Sequence, residues 1–216
     1  QRTTSDYDAL DRLITTTDPL NGRIGYTYDA QDNLRTVTDP RNRVTTYTYN
    51  GYDELTRLES PDTGVTEHTY DAAGNLITRR DARGVVSTHT YDALDRLTGI
   101  TYPAFAGQPA ETLSFTYDDA TKGNAGRGRL TRVTDASGST AYTYDIHGRV
   151  TTKTQVVGSG AAASTRTLAT SYLANGQTEG HVLPSGAVIR YTYRADGRVL
   201  SIRVNGVEIV REVEYH

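Results

Sequence analysis

Hydrophobic and polar positions alternate along this chain in short runs separated by turn residues. "YTY" at Tyr26–Tyr28 places two aromatic rings on one face of a strand and Thr27 on the other. "RLTRVTD" at Arg129–Asp135 is typical of a partner strand. Between such runs lie "DP" or Asp-x-x-Gly turns, whose Asp side chains bond nearby backbone and whose Gly permits positive φ. The pattern predicts a series of β-hairpins.

The same pattern recurs nine times. Aligned on the tyrosine of each Tyr-Asp pair or its variant, five of the eight spacings are 21 residues and the others are 26, 27 and 28. One hairpin of two strands fills each unit. The nine anchors are Tyr7, Tyr28, Tyr49, Tyr70, Tyr91, Tyr117, Tyr144, Tyr172 and Tyr193.

Fixed columns of residue types surround each anchor. At most anchors Thr stands one residue before, an aromatic residue or His two before, Asp or Asn one after, Asp or Gly four after, and Leu or Val six after. We expect these columns to be structural. The positions predicted to carry the fold are Tyr28, Asp29, Leu34, Tyr49, Tyr70, Asp71, Gly74, Leu76, Tyr91, Asp92, Leu97, Tyr117, Tyr144, Asp145, Gly148, Tyr193 and Gly197.

Two features of the strands stay open at this stage. Leu130 and Val133 are three residues apart, so either both sheet faces are partly covered or a bulge shifts the register. The tyrosine rings either form a buried core, which we favour because Leu and Ile are scarce, or an exposed platform suited to sugars. If the ring of Tyr91 is fully buried, its replacement by Ala should cost about 3–5 kcal/mol.

The repeat predicts an all-β fold built from one array over residues 1–216. Nine hairpins give about 18 strands and a ribbon about 85 Å wide. Because open sheets rarely exceed about ten strands, the sheet is expected to curl on itself.

Composition narrows the function. The hydrophobic share is 36%, and 16 Tyr accompany 2 Phe and no Trp, so a thick core is not expected. The net charge of −3 argues against a nucleic-acid binder, and no apolar run is long enough to span a membrane. Zero Cys excludes disulfides and thiolate metal sites. The absence of Met and of a signal sequence is typical of an internal fragment of a longer chain.

No catalytic, cofactor or metal site is predicted, since the common catalytic and nucleotide-binding motifs do not occur. The Asp columns are expected to cap turns rather than to bind Ca²⁺. His68 and His89 fall in the aromatic column of adjacent units, about 10 Å apart, so substitution for Tyr is favoured over a shared metal. "GNAGRGR" at Gly123–Arg129 is expected to be a flexible hairpin insertion rather than an anion-binding loop. Insertions at 102–112, 118–128 and 153–170 are candidate partner-docking loops.

The units resemble the YD repeat of the Rhs family, as "YTYDAQDNL", "TYDAAGNLITRRDARG" and "YTYDIHGRVT" illustrate. The tail at Val204–Tyr215 is similar to the family's stretch shortly before a Tyr-x-Pro-Phe-Gly segment. The resemblance implies a spiralling β-sheet that is part of a hollow shell in bacterial polymorphic toxins or toxin-complex proteins. Related repeats occur in wall-associated proteins and teneurins. The family's aspartyl autoprotease is not carried over to Asp18-Pro19 or Asp39-Pro40, which lie in ordinary repeat turns.

The function expected from this resemblance is structural and non-catalytic: a shell segment that sequesters a toxin polypeptide for delivery. Its partners would be flanking repeats, an enclosed C-terminal toxin domain of the same parent chain, and a delivery-apparatus protein. The protein would be secreted or delivered by a bacterial secretion system. The alternatives are an extracellular adhesion module that binds carbohydrate or protein, an enzyme of unknown type, and a fragment with no separate function.

Overall fold

The computed structural model describes residues 2–213, so Tyr215 and His216 lie outside the described part. Strands and two short 3-10 helices make up its regular structure. In chain order the strands are β1 Thr4–Tyr7, β2 Leu13–Thr17, β3 Arg23–Tyr28, β4 Leu34–Thr38, β5 Val44–Tyr49, β6 Leu55–Ser60, β7 Gly64–Tyr70, β8 Leu76–Arg80, β9 Val86–Tyr91, β10 Leu97–Tyr102, β11 Glu111–Tyr117, β12 Leu130–Asp135, β13 Gly138–Tyr144, β14 Val150–Val157, β15 Ser164–Tyr172, β16 Thr178–Val182, β17 Val188–Tyr193, β18 Val199–Val204 and β19 Val207–Val210. The 3-10 helices span Thr121–Gly123 and Gly160–Ala162.

The chain divides into two compact units, Gln1–Glu111 and Thr112–His216. In the first, β1 to β10 pair antiparallel, each strand with the next along the chain. In the second, β11 to β19 do the same. The predicted all-β class, built from tandem antiparallel hairpins, is confirmed. The described residues contain 19 strands, against about 18 expected.

The turn after each anchor tyrosine except Tyr117 is a three-residue loop, whereas the loop after Tyr117 runs from Asp118 to Arg129. The amide of Asp11 donates to the carbonyl of Asp8 at 3.1 Å, and the amide of Asp8 donates to the carbonyl of Arg12 at 2.9 Å. Asp11, four residues after the anchor, has φ +58°, in the left-handed region. A type I turn followed by a left-handed residue is a common three-residue hairpin connection. The column of Asp and Gly at this position therefore reflects backbone conformation.

The "DP" and Asp-x-x-Gly turns have the same geometry. The amide of Asn42 donates to the Asp39 carbonyl at 2.9 Å, the Asp39 amide donates to the Arg43 carbonyl at 2.9 Å, and Asn42 has φ +60°. Pro40 supplies the fixed φ that the second residue of a type I turn requires. Gly84, with φ +83°, takes the left-handed position in the turn that begins at Asp81. At Asp39 and Asp81 the two kinds of turn distinguished in the sequence are therefore one structure, whereas Asp135 pairs directly with Gly138 across a two-residue turn.

A bulge follows the first turn in every hairpin of residues 2–213 that carries an anchor tyrosine. In the sixth repeat, Tyr117 pairs with Leu130 but Thr116 pairs with Arg132, which leaves Thr131 as the extra residue. The same shift follows the other eight anchors. The bulge places Leu130 and Val133 on one face, which decides between the two alternatives left open by the sequence.

The two faces of the sheet differ in chemistry. Tyr28 pairs with Leu34, and Tyr26 with Val37, so aromatic and aliphatic side chains share one face. Thr27 lies on the other face opposite Thr36. We call these the tyrosine face and the threonine face.

Neither unit contains a buried core in its described residues. Val85, 9% exposed, is the one buried hydrophobic residue there, and no side chain is fully buried. The accessible surface of 14416 Å² exceeds the roughly 9,800 Å² expected for a globular monomer of this mass. The expectation that the tyrosine rings form a buried core is therefore wrong, because the anchors within strands β3 to β17 are half-buried in a single layer of sheet.

The predicted insertions are more ordered than the sequence suggested. Residues 153–170 lie mostly in β14 and β15, which are longer than the other strands. Asn124, in the segment expected to be a flexible hairpin insertion, is buried, and its Oδ1 accepts from the amide of Tyr144 at 2.8 Å. Phe105 and Gln108 exchange backbone hydrogen bonds across a tight turn within 102–112. These contacts correct the picture of loose loops.

Candidate functional site: the ties between successive repeats

The anchor tyrosine joins its own repeat to the preceding one. Tyr28 Oη donates to the carbonyl of Leu13 at 2.8 Å, and Leu13 is the sixth residue after the previous anchor. The same bond recurs along both units. Its donors and acceptors are Tyr70 and Leu55, Tyr91 and Leu76, Tyr144 and Leu130, Tyr172 and Val150, and Tyr193 and Thr178, at 2.6–3.0 Å.

This bond explains why the column contains Tyr rather than Phe. The carbonyl that accepts it belongs to the first residue of a strand, next to the bulge, where the backbone ladder is interrupted. Burial raises the pKa of Tyr70, and the nearby Glu54 carboxylate raises it further, so the phenol stays protonated and donates. A half-buried ring is thus held by its edge to the neighbouring hairpin.

A second tie uses the residue five after each anchor. Arg12 Nη1 contacts the carboxylate of Asp32, in the next turn, at 2.5 Å. Asn33 donates in the same way to Asp53, at 2.6 Å, and Asn75 to Asp95, at 2.9 Å. Each acceptor is the left-handed residue of the next turn.

Where the next turn has Gly at that position, a longer side chain occupies the space above it. Gln177 Nε2 donates to the carbonyl of Gly197 at 2.7 Å. A methyl group added to Gly148 would lie 2.2 Å from the Arg129 guanidinium. The contact between repeats is therefore kept whether the left-handed residue is Asp or Gly.

Arginine at this position also stacks on the next anchor. The guanidinium carbon lies 4.8 Å from the ring centroid of Tyr28 in the case of Arg12, and 4.5 Å from that of Tyr172 in the case of Arg149. Planar Arg suits a site that combines a ring face with a carboxylate fork. Arg12 thus touches its own Asp8 at 2.7 Å, the next anchor and the next turn.

The turn aspartates are used as backbone acceptors. Oδ1 of Asp71 accepts from the amides of Ala73 and Asn75, both at 2.9 Å. These bonds, led by that from the Asn75 amide, lower the pKa of Asp71. At Asp8 the pKa is lowered first by the Arg12 side chain and then by the Arg12 amide. Carboxylates engaged in this way match the expected turn-capping role.

The threonine face carries its own repeated contact. Thr27 Oγ1 and Thr36 Oγ1 lie 2.6 Å apart, and so do those of Thr69 and Thr78. A hydrogen-bonded hydroxyl pair across two strands adds a modest stabilisation to each hairpin. The Thr column of the sequence is therefore a cross-strand ladder.

The predicted repeat positions fall at equivalent places in each hairpin. The anchors Tyr28, Tyr49, Tyr70, Tyr91, Tyr117, Tyr144 and Tyr193 each end a strand. Asp29, Asp71, Asp92 and Asp145 begin the turns, Gly74, Gly148 and Gly197 are their left-handed residues, and Leu34, Leu76 and Leu97 begin the next strands.

Sequence reasoning missed the column five after the anchor. Arg, Asn and Gln recur there, with one Glu, and all of these side chains end in a group that forms hydrogen bonds. That recurrence was the available signal. Asn205-Gly206 was also missed: both residues have positive φ, 50° and 82°, in the hairpin that leads to β19.

Histidine and acidic residues do not assemble into a metal centre in residues 2–213. No group of three or more His, Cys, Asp or Glu with suitable placement occurs in that range. His68 and His89 lie on the tyrosine face, opposite Arg79 and Ile100 respectively. Within residues 2–213 no helix has the length and apolar character needed to cross a membrane.

Comparison with known proteins assigns the class. The family model described as RHS Repeat matches residues 7–41, 28–65, 70–104 and 126–159, more than half of the chain. The chain therefore belongs to the RHS repeat family. No curated protein matched it.

Solved structures share the fold. The chain is similar to TcdB2-TccC3, with a TM-score of 0.82 and 18% identity, over 99% of this chain and 13% of that one. TcdB2-TccC3-Cdc42 gives 0.81 and 18% over 99% and 12%. A Tc holotoxin pore from Photorhabdus luminescens gives 0.82 and 19% over 99% and 12%. The chain thus spans about an eighth of the length of these structures.

Proposed function

We propose that this chain is a structural, non-catalytic segment of a wall that encloses a toxin polypeptide. The observation that carries the proposal is the fold shared, over 99% of the chain, with structures titled TcdB2-TccC3 and Tc holotoxin pore. Its partners would be neighbouring repeats, the enclosed C-terminal toxin domain and a delivery component. The protein would act after secretion or delivery from a bacterium.

The organisation of the sheet supports this role. A wall needs lateral continuity rather than a thick core, and the ties between repeats supply it through Tyr hydroxyls and the residues five after each anchor. A single layer of sheet exposes much surface for its mass. The polar groups that recur from repeat to repeat form hydrogen bonds within the turns and between successive repeats. This is the arrangement expected of a scaffold.

Protease protection in the parent protein tests the proposal. A site for a sequence-specific protease is inserted into the polypeptide that follows the repeats, and a matched control carries the site in the exposed segment Gly158–Ala162. The control should be cut in the native protein, whereas the downstream site should be cut only after denaturation. Equal cleavage of both sites in the native protein would contradict enclosure.

Glycan binding that is lost when the exposed Tyr52 is replaced would favour the adhesion alternative.

A further inference from the structure

Histidine replaces tyrosine in the aromatic column at two positions of the first compact unit, His68 and His89. Tyr26 and Tyr47 occupy the column in strands β3 and β5, and His68 occupies it in β7. His68 Nδ1 is buried and has no hydrogen-bond partner. A buried, unpaired ring nitrogen costs free energy that a Tyr at this position would avoid.

The residue opposite His68 is charged. His68 pairs with Arg79 across β7 and β8, whereas Tyr47 pairs with Leu58 across β5 and β6. Cross-strand partners on one face have Cβ atoms about 5 Å apart. A proton added to His68 would therefore face a guanidinium, with no acceptor at Nδ1 to receive it.

The other side chains around His68 on the tyrosine face carry no negative charge that would offset this repulsion. Leu55 and Leu58 of β6 and Leu76 of β8 share the tyrosine face and carry no charge. Tyr70, on the same strand, is a neutral phenol whose pKa is raised by burial and then by Glu54. Glu67 points to the threonine face, where it contacts Arg57 and Arg80.

We propose that the β7–β8 hairpin is an acid-sensitive element, which loosens when His68 gains a proton opposite Arg79. The inference goes beyond the proposed wall function and does not depend on it. His89 also leaves Nδ1 buried without a partner, but it lies opposite the uncharged Ile100. The proposal therefore rests on His68 alone.

The direction of the effect follows from linkage. Burial, then Arg79, lowers the pKa of His68 from its ordinary 6.5, and a hydrogen bond that the His68 ring donates to the Leu55 backbone carbonyl only partly opposes this. The unfolded hairpin thus binds the proton more readily than the folded one. The stability that neutral His68 contributes to the hairpin is complete above pH 6.5 and is lost as the pH falls below that value.

Hydrogen–deuterium exchange of the full chain between pH 7.5 and pH 5 tests the proposal, with rates corrected for intrinsic exchange. The β5–β6 hairpin, with Tyr47 in the same column, is an internal reference. Amides of β7–β8 should lose protection several-fold relative to those of β5–β6 on acidification. His68→Tyr, which restores the column residue, and Arg79→Gln should each suppress that difference, whereas His147→Tyr, in an exposed turn, should retain it.

Two results would overturn the proposal. One is a parallel loss of protection in both hairpins of the unsubstituted chain. The other is an undiminished difference in both His68→Tyr and Arg79→Gln. Because each variant is compared with the reference hairpin of the same molecule, a general loss of stability does not imitate either result.

Discussion

At the scale of single residues, the anchor tyrosine combines a ring that packs on the sheet with a hydroxyl that donates a hydrogen bond to the preceding repeat. Tyr91 Oη donates to the Leu76 carbonyl at 3.0 Å, and its ring is half-buried rather than enclosed. The cost of about 3–5 kcal/mol expected for full burial therefore does not apply to Tyr91→Ala. What the structure adds is a hydrogen bond that can be removed by itself.

We expect Tyr91→Phe to lower the free energy of unfolding by about 1 kcal/mol, because the Leu76 carbonyl loses its donor while the ring is kept. Urea denaturation followed by circular dichroism measures the change. Tyr52→Phe is the matched control, since Tyr52 lies 87% exposed in a turn and should change the value by less than about 0.5 kcal/mol. Equal effects of the two substitutions would show that the hydroxyl of Tyr91 contributes nothing.

At the scale of the hairpin, the residue that begins a turn and the left-handed residue that ends it are related. A side-chain acceptor at the first position offsets the steric cost of a non-glycine residue at the second. Turns that begin with Asp or Asn tolerate a left-handed Asp, as in Asp11 and Asp95, because the first side chain accepts two backbone amides. Among the three-residue turns of residues 2–213, three begin with a residue that lacks this acceptor, and all three have Gly in the left-handed position. They are Leu173 with Gly176, Leu183 with Gly186, and Arg194 with Gly197. Gly removes the steric cost that the missing bonds would have offset.

Gly84→Ala isolates that steric cost. Gly84 has φ +83°, and an added methyl group would meet only the end of the Arg80 side chain, at 4.0 Å. We therefore expect a loss of about 1 kcal/mol in unfolding free energy from the backbone alone. Gly51→Ala is the control, because Gly51 does not have a left-handed φ and an added methyl group there has no neighbour within 4 Å. A thermal or urea midpoint that falls equally in both variants would contradict the argument.

At the scale of the whole molecule, stability is distributed over many small, similar contacts. The described residues contain no buried core, and the same turn, bulge and inter-repeat tie recur through both units. In such repeats, stability is close to a sum of local and nearest-neighbour contributions. No single carboxylate is expected to dominate the response to acid.

Turn carboxylates should nevertheless set a common acid limit. The pKa values of Asp8, Asp39, Asp71 and Asp92 are lowered from 3.8 by hydrogen bonds from nearby side chains and amides. A lowered pKa in the folded state gives stability that is complete above about pH 4 and is lost as the pH falls further. Urea midpoints measured from pH 7 to pH 2 should decline gradually below about pH 4. A midpoint that stays constant to the lowest pH would show that these bonds persist in the unfolded chain.

The sequence by itself determined the repeat, the hairpins and their turns. These are local features. The Asp and Gly columns indicate the turn conformation within five residues, and alternation as in Tyr26–Tyr28 indicates which side chains share a face. The expected roles of Leu34 and Gly74 follow from position in one hairpin. The RHS family resemblance, read from the same columns, is shown by the family match.

Only the tertiary structure decided how successive hairpins are joined. The bulge at Thr131, the bond from Tyr28 to Leu13 and the reach of Arg12 to Asp32 depend on the register between strands that are distant in sequence. Spacing alone does not fix that register, because a shift of one residue reverses every side chain. The degree of burial was misjudged for the same reason: it depends on how many layers cover a sheet face, which no single repeat records.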